Sequence, residues 1–536
     1  MRADQKALIV VACLASGAIA APAQAEKRIS PYIEIGQVVE ADLNNGGDVL
    51  TYTNVAVGIE ASVRNSRTEV QISYRYDRRF DYDRNIDVNE THTGLARISQ
   101  QLVPNLLSFE AGGIATRSRV DIRGAAPQVG GSSSNNTTQV YSAYAGPTLA
   151  TNLGALDVGA AYRFGYTKVE DVTTLRLPTG QQRLDGYDDA TAHFVTANVG
   201  MRPGELPVGW QISGAFEREN VGQLDQRFEG KFIRGDLTVP VSPTLALVGG
   251  VGYEDIEISQ RDALRDTNGA PVVGNDGRFI TDPASPRQLA YDQDGLIYDA
   301  GVMWRPSRRT QLEARAGRRY GGTTVFGSFT HQMSSASGVS VVVYDGVESF
   351  GRLLQDNVSR LPTNFNVASS RFGGGFNGCV FGANGGGGGG CLDDVFQSIN
   401  TANFRNRGIT GIYTAARGPI SLGFGLGYAQ RKYFAPRFGN AFSLDGVKDE
   451  SWFAQAYYGY ALTDHSGLDF NAYLDYYKSG IPNAESVLGT GVMGTYYHNF
   501  SRNLSASATG QLYSSDQNGF EDSLIASLWL AMRLQY

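Results

Sequence analysis

The last fourteen residues, Ser523 to Tyr536, constrain the fold most, because side-chain character alternates there with a strict period of two. Leu524, Ala526, Leu528, Leu530, Met532, Leu534 and Tyr536 fall on one side, and Ile525, Ser527, Trp529, Ala531, Arg533 and Gln535 on the other. That period belongs to a β-strand with two different faces. Soluble sandwich strands also alternate, but rarely over such a length; a tilted strand needs about ten residues to cross a bilayer.

Composition fits the same reading. The 536 residues include 66 Gly, 28 Tyr and 25 Phe with only 42% hydrophobic residues, and past the N-terminus no apolar run reaches the roughly 18 residues of a spanning helix. A barrel hides its apolar residues at every second position, so a moderate total is expected of it. A soluble multi-domain β protein has similar totals, so the pattern along the chain must decide. The terminal strand resembles the C-terminal strand of bacterial outer-membrane β-barrels, in which a final aromatic residue is read by the barrel assembly machinery.

The N-terminus predicts secretion. Arg2 and Lys6 precede an apolar, small-residue stretch from Ala7 to about Ala21, and Ala23-Gln24-Ala25 is a small-x-small cleavage site. Residues 1–25 are expected to be a signal peptide cut after Ala25. A lipoprotein signal ending at Cys13 would leave an apolar region of only about six residues, below the usual minimum of about seven. Cleavage removes Arg2, Lys6 and Asp4, a net of +1, and takes the formal charge from −7 to −8. Such a balance argues against a nucleic-acid partner. Cys379 and Cys391 then remain, and an oxidising compartment makes a disulfide between them the expected state.

From Ile29 onward the chain reads as one series of strands. Val55, Val57, Ile59, Ala61 and Val63 oppose Asn54, Ala56, Gly58, Glu60, Ser62 and Arg64; Asn65-Ser66-Arg67 makes a hairpin turn; Val70, Ile72, Tyr74 and Tyr76 then oppose Glu69, Gln71, Ser73, Arg75 and Asp77. The pattern recurs in Leu156 to Thr167, Leu296 to Arg305 and Leu468 to Tyr477. Tight connections at Pro104-Asn105, Thr151 to Gly154, Pro203 to Pro207, Val241 to Pro243, Pro306 to Arg309, Met333 to Gly338, Arg417-Gly418, Thr463 to Gly467 and Phe500 to Asn503 alternate with longer ones. The longer ones include Val120 to Thr137, Glu170 to Asp189, Ser259 to Gln293, Gly351 to Arg405 and Phe434 to Glu450. Short periplasmic turns and long external loops are the topology of an outer-membrane barrel.

The expected fold is therefore all-β: a transmembrane, up-and-down antiparallel β-barrel over residues 26–536, with no helix between its strands. About 22 segments can be counted, with 18 to 22 as the range once boundary errors of about two to four residues are allowed for. Because no segment separates the cleavage site from the first strand, no plug domain is expected. The lumen is then open, or filled by its own side chains and loops.

The stretch Pro306 to Tyr344 resembles an outer-membrane β-barrel porin family whose members often occur with exopolysaccharide systems. The likeness lies in Pro306-Ser307-Arg308-Arg309-Thr310 leading into Leu312, Ala314, Gly317, Arg318 and Tyr320, then Gly327, Phe329 and His331. It implies a barrel with a porin-like or export-associated role and supplies no substrate. The glycine-rich insertion at 373–391 departs from the family pattern.

Charges on the predicted inner face carry the functional reading, since a charge facing lipid at mid-membrane costs about 2 to 4 kcal/mol. The candidate lumen-lining residues are Glu60, Glu69, Arg75, Asp157, Arg163, Glu217, Arg234, Asp236, Asp299, Glu313, Arg315, Asp469, Asp475 and Arg533. Their mixed signs suit a hydrated wall of ion pairs, or a transverse field that selects charged or sugar solutes. Tyr473 and Tyr477 on that face are candidates for stacking on sugar rings. Gly351 to Arg405 holds both cysteines, the runs Gly373 to Gly375 and Gly385 to Gly390, and Phe365, Phe372, Phe376 and Phe381. It is either a constriction folded into the lumen or a flexible external loop, and its disulfide would contribute about 3 kcal/mol in the chain-entropy model.

No metal or cofactor is expected: Asp42 to Asp48 starts like a calcium loop, but Thr53 stands where the twelfth-position Glu belongs. An enzyme would need a base among His92, His193, His331, His465 and His498; only His92, near Asp81, Asp83, Asp87 and Glu90, is placed for it, and no enzymatic activity is expected. The expected location is the outer membrane of a Gram-negative bacterium. Outer-membrane lipid and lipopolysaccharide, the assembly machinery and a polysaccharide export complex are the expected partners; a structural or adhesive barrel with a blocked lumen is the alternative.

Overall fold

Side-chain alternation becomes a wall because each long strand finds an antiparallel neighbour on both sides. The computed structural model describes residues 26–44, 49–82, 90–124, 136–172, 181–363, 365, 378–382, 389–392, 394–437, 442–518 and 522–536. The expected signal peptide, the Asn45 to Asp48 part of the calcium-like stretch, and Phe372 and Phe376 lie outside them.

In chain order the strands begin with β1 (Glu26–Asp42), β2 (Val49–Arg64), β3 (Thr68–Asp81), β4 (Glu90–Val103), β5 (Leu107–Arg119), β6 (Thr137–Leu153), β7 (Leu156–Val169) and β8 (Asp189–Met201). Next come β9 (Gly209–Val221), β10 (Gln226–Ser242), β11 (Leu245–Gln260), β12 (Gln288–Ser307), β13 (Thr310–Arg319), β14 (Gly322–Ser334) and β15 (Ser337–Glu348). After helix α1 (Phe350–Arg360) come the short β16 (Cys379–Phe381) and β17 (Gly389–Cys391). The series ends with β18 (Asn403–Arg417), β19 (Ile420–Phe434), β20 (Lys448–Thr463), β21 (Ser466–Lys478), β22 (Val487–Asn499), β23 (Leu504–Gln517) and β24 (Ser523–Gln535).

Twenty-two of these strands form one antiparallel ring, closed where β1 pairs with both β2 and β24. The count is the top of the expected range. Around Gly321-Gly322, β13 and β14 are two separate strands joined by the tip Tyr320-Gly321, whose φ angles of 54° and 70° are those of a tight hairpin turn. Closure leaves no edge strand in the membrane, where each unpaired backbone group would cost several kcal/mol.

The faces follow the alternation. On β24, Leu528, Leu530, Met532 and Leu534 are exposed, while Ala531 and Arg533 are buried. On β7, Tyr162, Phe164 and Tyr166 are exposed, while Gly165 and Thr167 face in. A continuous apolar exterior of this kind is what lipid solvates.

Two expectations are corrected. The strands are not free of helix: α1 lies in the longest connection, along with a 3-10 turn at Val395–Gln397. At eleven residues it is too short to be stable without partners, so its evidence is tertiary and was not visible as a long periodic run. External connections are also not uniformly long, since Tyr320-Gly321 and residues 222–225 are short.

The main hydrophobic core is not in the wall. Phe350, Leu354, Leu361, Phe365, Leu392, Val395 and Ile399, all from the segment between β15 and β18, pack with Leu95, Ile114, Val140 and Tyr144. Those four project from the inward face of β4, β5 and β6. The segment therefore packs inside the ring.

The outward face gives a test of the lipid boundary. Val251, near the middle of β11, is 61% exposed, and Val251→Arg is expected to cost about 2 to 4 kcal/mol. Reversible urea unfolding in lipid vesicles measures it, and a change under about 0.5 kcal/mol, the usual size of a surface effect, would place that face in water.

Candidate functional site

The site is the contact between the 349–402 segment and the inner wall, and a buried arginine anchors it. Ser349 caps α1 by accepting from the Arg352 backbone N–H at 3.1 Å, and donates to the Glu219 carboxylate at 2.8 Å. Arg352 pairs with Glu217 at 3.0 Å and Glu219 at 3.3 Å, donates to the Val347 carbonyl, and stacks on Phe228 at 3.4 Å. Tyr187 donates to Glu219 at 2.9 Å, and burial, then the Glu219 charge, pushes its hydroxyl above the usual tyrosine range. Gly351 is required beneath that hydroxyl, because a Cβ there would lie 2.1 Å from Tyr187 Oη.

Other described residues of the segment are held as well. Gln355 donates to Thr167 at 3.1 Å, Arg163 pairs with Asp356 and donates to Ser359, and Thr363 bonds Glu69. The Gln71 amide donates to the Phe365 carbonyl at 2.6 Å and accepts from its N–H at 3.3 Å. Farther on, Arg431 has no exposed surface; it donates to the carbonyls of Val395 and Ser398 and lies over Phe404.

Cys379 and Cys391 are joined, with Cα atoms 3.9 Å apart, in the hairpin of β16 and β17. This hairpin nests on Gly423 and Gly425 of β19: a Cβ at Gly425 would lie 2.3 Å from Cys379 Sγ, and one at Gly423 would lie 2.7 Å from the Phe381 ring. Gln455 accepts from the Cys379 N–H at 2.6 Å.

Outside the barrel four connections meet at Asp185. Its carboxylate accepts from Gln223 and from the Phe279 N–H at 2.9 Å and from Thr401 at 3.3 Å, while its carbonyl accepts from the Thr401 N–H. Burial pushes this carboxyl up to about 7, against the pull of those donors and of Arg278. Arg278 in turn donates to the carbonyls of Tyr187, Val169 and Glu170.

Most of the predicted lumen charges fall into three groups. Arg75 pairs with Glu34 and Asp77, and Arg533 with Glu34 and Glu60. Arg234 and Arg315 share Asp236 and Asp299, and Arg315 also pairs with Glu313. Glu69, Arg163 and Glu217 meet the 349–402 segment. Asp157 pairs with Arg202 beside a short turn, Asp469 accepts from Tyr457, and Asp475 is buried. Opposite signs sit side by side, so the wall is a run of local pairs. Tyr477 is buried under Arg119, whose guanidinium lies 4.2 Å from its ring centre, and is not free to stack on a sugar. His92 sits among Tyr74, Tyr76 and Tyr141 and bonds the Tyr74 hydroxyl at 2.6 Å, an aromatic setting on the outward face.

Sequence reading missed Glu34, Glu219, Arg352, Arg431 and Asp185. Glu219 was the most findable, because it shares the inward face with Glu217 two residues earlier.

No family model and no curated protein matches the chain. Among solved structures it is similar to the FrpB iron transporter of Neisseria meningitidis (10% identity, covering 94% of this chain and 82% of that one, TM-score 0.43). It is also similar to the ferric-catecholate import receptor Fiu of E. coli K12 in its closed form (10%, 94% and 81%, 0.45). A third likeness is to the alcaligin outer-membrane receptor FauA of Bordetella pertussis (11%, 94% and 76%, 0.39). The closed ring and its apolar exterior make this chain a membrane-spanning β-barrel.

Breaking the Arg352 anchor is expected to be costly. Arg352→Ala leaves Glu217 and Glu219 without their buried partner, a loss of about 3 to 5 kcal/mol; protease sensitivity of the 349–402 segment in the folded barrel measures it. The outer clasp should weaken as pH rises. Because the Asp185 pKa is higher folded than unfolded, the stability it contributes is complete below about 4 and is lost as pH passes about 7. Hydrogen-exchange protection at residues 181–188 and 399–401 should fall across that window in the wild type and stay level in Asp185→Asn.

Proposed function

We propose that the protein is an outer-membrane channel for small hydrophilic solutes, with the 349–402 segment acting as the constriction of its lumen. The observation that carries this reading is the paired-charge wall inside a closed ring: Arg234, Asp236, Asp299, Glu313 and Arg315 on one side, Glu34, Glu60, Arg75 and Arg533 on the other. Opposite charges paired side by side leave little net field along the wall, which suits polar solutes of either sign without binding them tightly. On this reading the segment takes the place of a separate plug domain.

The resemblance to barrels that occur with exopolysaccharide systems makes a sugar polymer one solute class, with an export complex as partner. Insertion would use the assembly machinery and the Tyr536 terminus, and the apolar exterior would meet lipid and lipopolysaccharide. A second reading, a structural or adhesive barrel with a blocked lumen, draws on how completely Phe350, Leu354, Arg352 and Arg431 are buried.

Single-channel conductance in a planar bilayer separates the two. Steady conductance of the intact protein is expected under the channel reading, rising when residues 361–400 are replaced by a short linker. If both proteins are silent the channel reading fails, and the structural one takes its place.

A further inference from the structure

The rim of the ring that carries the short turns is not uniform in charge. Between β12 and β13 the chain turns on Arg308 and Arg309 alone, with Ser307 paired to Thr310 behind them. Arg305 stands three residues before this tip, and all three arginines are exposed. Among the described residues none of the three makes an ion pair or a side-chain hydrogen bond. The neighbouring turns, residues 240–247 and 332–339, carry no charge, and Arg417 is the only charged residue of the next one, 415–422. This arc therefore holds four arginines and no carboxylate. Carboxylates return only in the turns beyond it, Glu205 on one side and Asp464 on the other, while Glu313 above the tip faces the lumen and pairs with Arg315 at 2.9 Å. His331, beside the arc, bonds Thr310 at 2.8 Å.

The turns around β7, β8 and β9 show a balanced part of the same rim. There Arg202 donates to Asp157 at 2.8 Å, and Glu205 follows three residues on. Residues 151–158 and 200–211 thus hold one arginine against two carboxylates. Each part of the rim is marked by one outward tryptophan within four residues of a short turn. Trp304 marks the arginine arc, and Trp210, on the face of the exposed Ile212 and Phe216, marks the balanced one.

The arc continues the lipid-facing surface. Trp304, Pro306 and Arg308 share by alternation the face on which Leu296 and Tyr298 are exposed, and Val239, Leu247 and Met333 are exposed beside them. A protein docked on the tip would have to displace the acyl chains that this apolar surface requires. At ordinary strand rise and tilt Arg308 lies about 10 Å beyond Trp304. The headgroup layer is roughly 5 to 8 Å thick on each side of a bilayer, and a long arginine side chain reaches back across the difference. Guanidinium groups suit phosphate oxygens, which they can bind with two parallel hydrogen bonds. A phosphate without an ammonium of its own suits this arc best, since no carboxylate is present in it to receive one.

We propose that the Arg308-Arg309 tip is a contact site for an anionic phospholipid, its phosphate headgroup held by the two guanidiniums and its acyl chains lying over Trp304. The site does not depend on whether the barrel conducts solutes.

The test uses the full chain in two forms, one keeping only Trp304 and the other only Trp210, with the remaining tryptophans replaced by phenylalanine. Each is placed in vesicles that mix phosphatidylglycerol with phosphatidylcholine, one of the two lipids carrying bromine on its acyl chains. Bromine quenches the tryptophan it touches, so the paired mixtures report which lipid each ring meets, and heat-dependent gel mobility shows that the variants are folded. Trp304 is expected to meet phosphatidylglycerol about fivefold more often than its share of the bilayer, the worth of one arginine near an anionic surface. Trp210 should stay near its share, and Arg308→Gln with Arg309→Gln should bring Trp304 down to the Trp210 value. Equal contact of Trp304 with both lipids would overturn the proposal. So would the same preference at Trp210, which would make it a property of the whole barrel surface, or a preference at Trp304 that survives the double substitution.

Discussion

Everything in this structure depends on one constraint: backbone N–H and C=O groups at membrane depth have no water to turn to. A ring in which β1 closes on β24 satisfies that demand with strand against strand. Where two strands part, side chains of fixed geometry take over the hydrogen bonds, the Gln139 amide in one place and the Arg405 and Arg407 guanidiniums in another.

The second dependency is charge inside the ring. A cation taken out of water is tolerated only with its hydrogen bonds satisfied and countercharge near. Arg352 is held by two carboxylates, whereas Arg431 is held through its two terminal nitrogens by main-chain carbonyls. Their two solutions fix the two ends of the 349–402 segment, and the disulfide hairpin between them rests in a groove that exists because Gly423 and Gly425 carry no side chain.

Much of the wall was legible residue by residue. Leu528, Leu530 and Met532 face out and Arg533 faces in, as alternation requires, and the charges of β10, β12 and β13 meet as cross-strand pairs. The site was legible only in part. Glu217 was found, but the reason it matters is Arg352, which lies 135 residues away on a helix too short to announce itself. Tyr477 was placed on the correct face, yet Arg119 covers it.

The sequence by itself determined which side of each strand meets lipid and how many strands are available, because a period of two is a local property that survives any choice of neighbours. Tertiary structure alone decided what fills the ring and where its ladders part. Gln71 finds the Phe365 backbone 294 residues away, and the β14–β15 ladder stops at Gly327 and Val343 while β15 stays paired with β18 as far as Glu348. Such meetings are set by register and closure around the whole ring, and no local pattern encodes them.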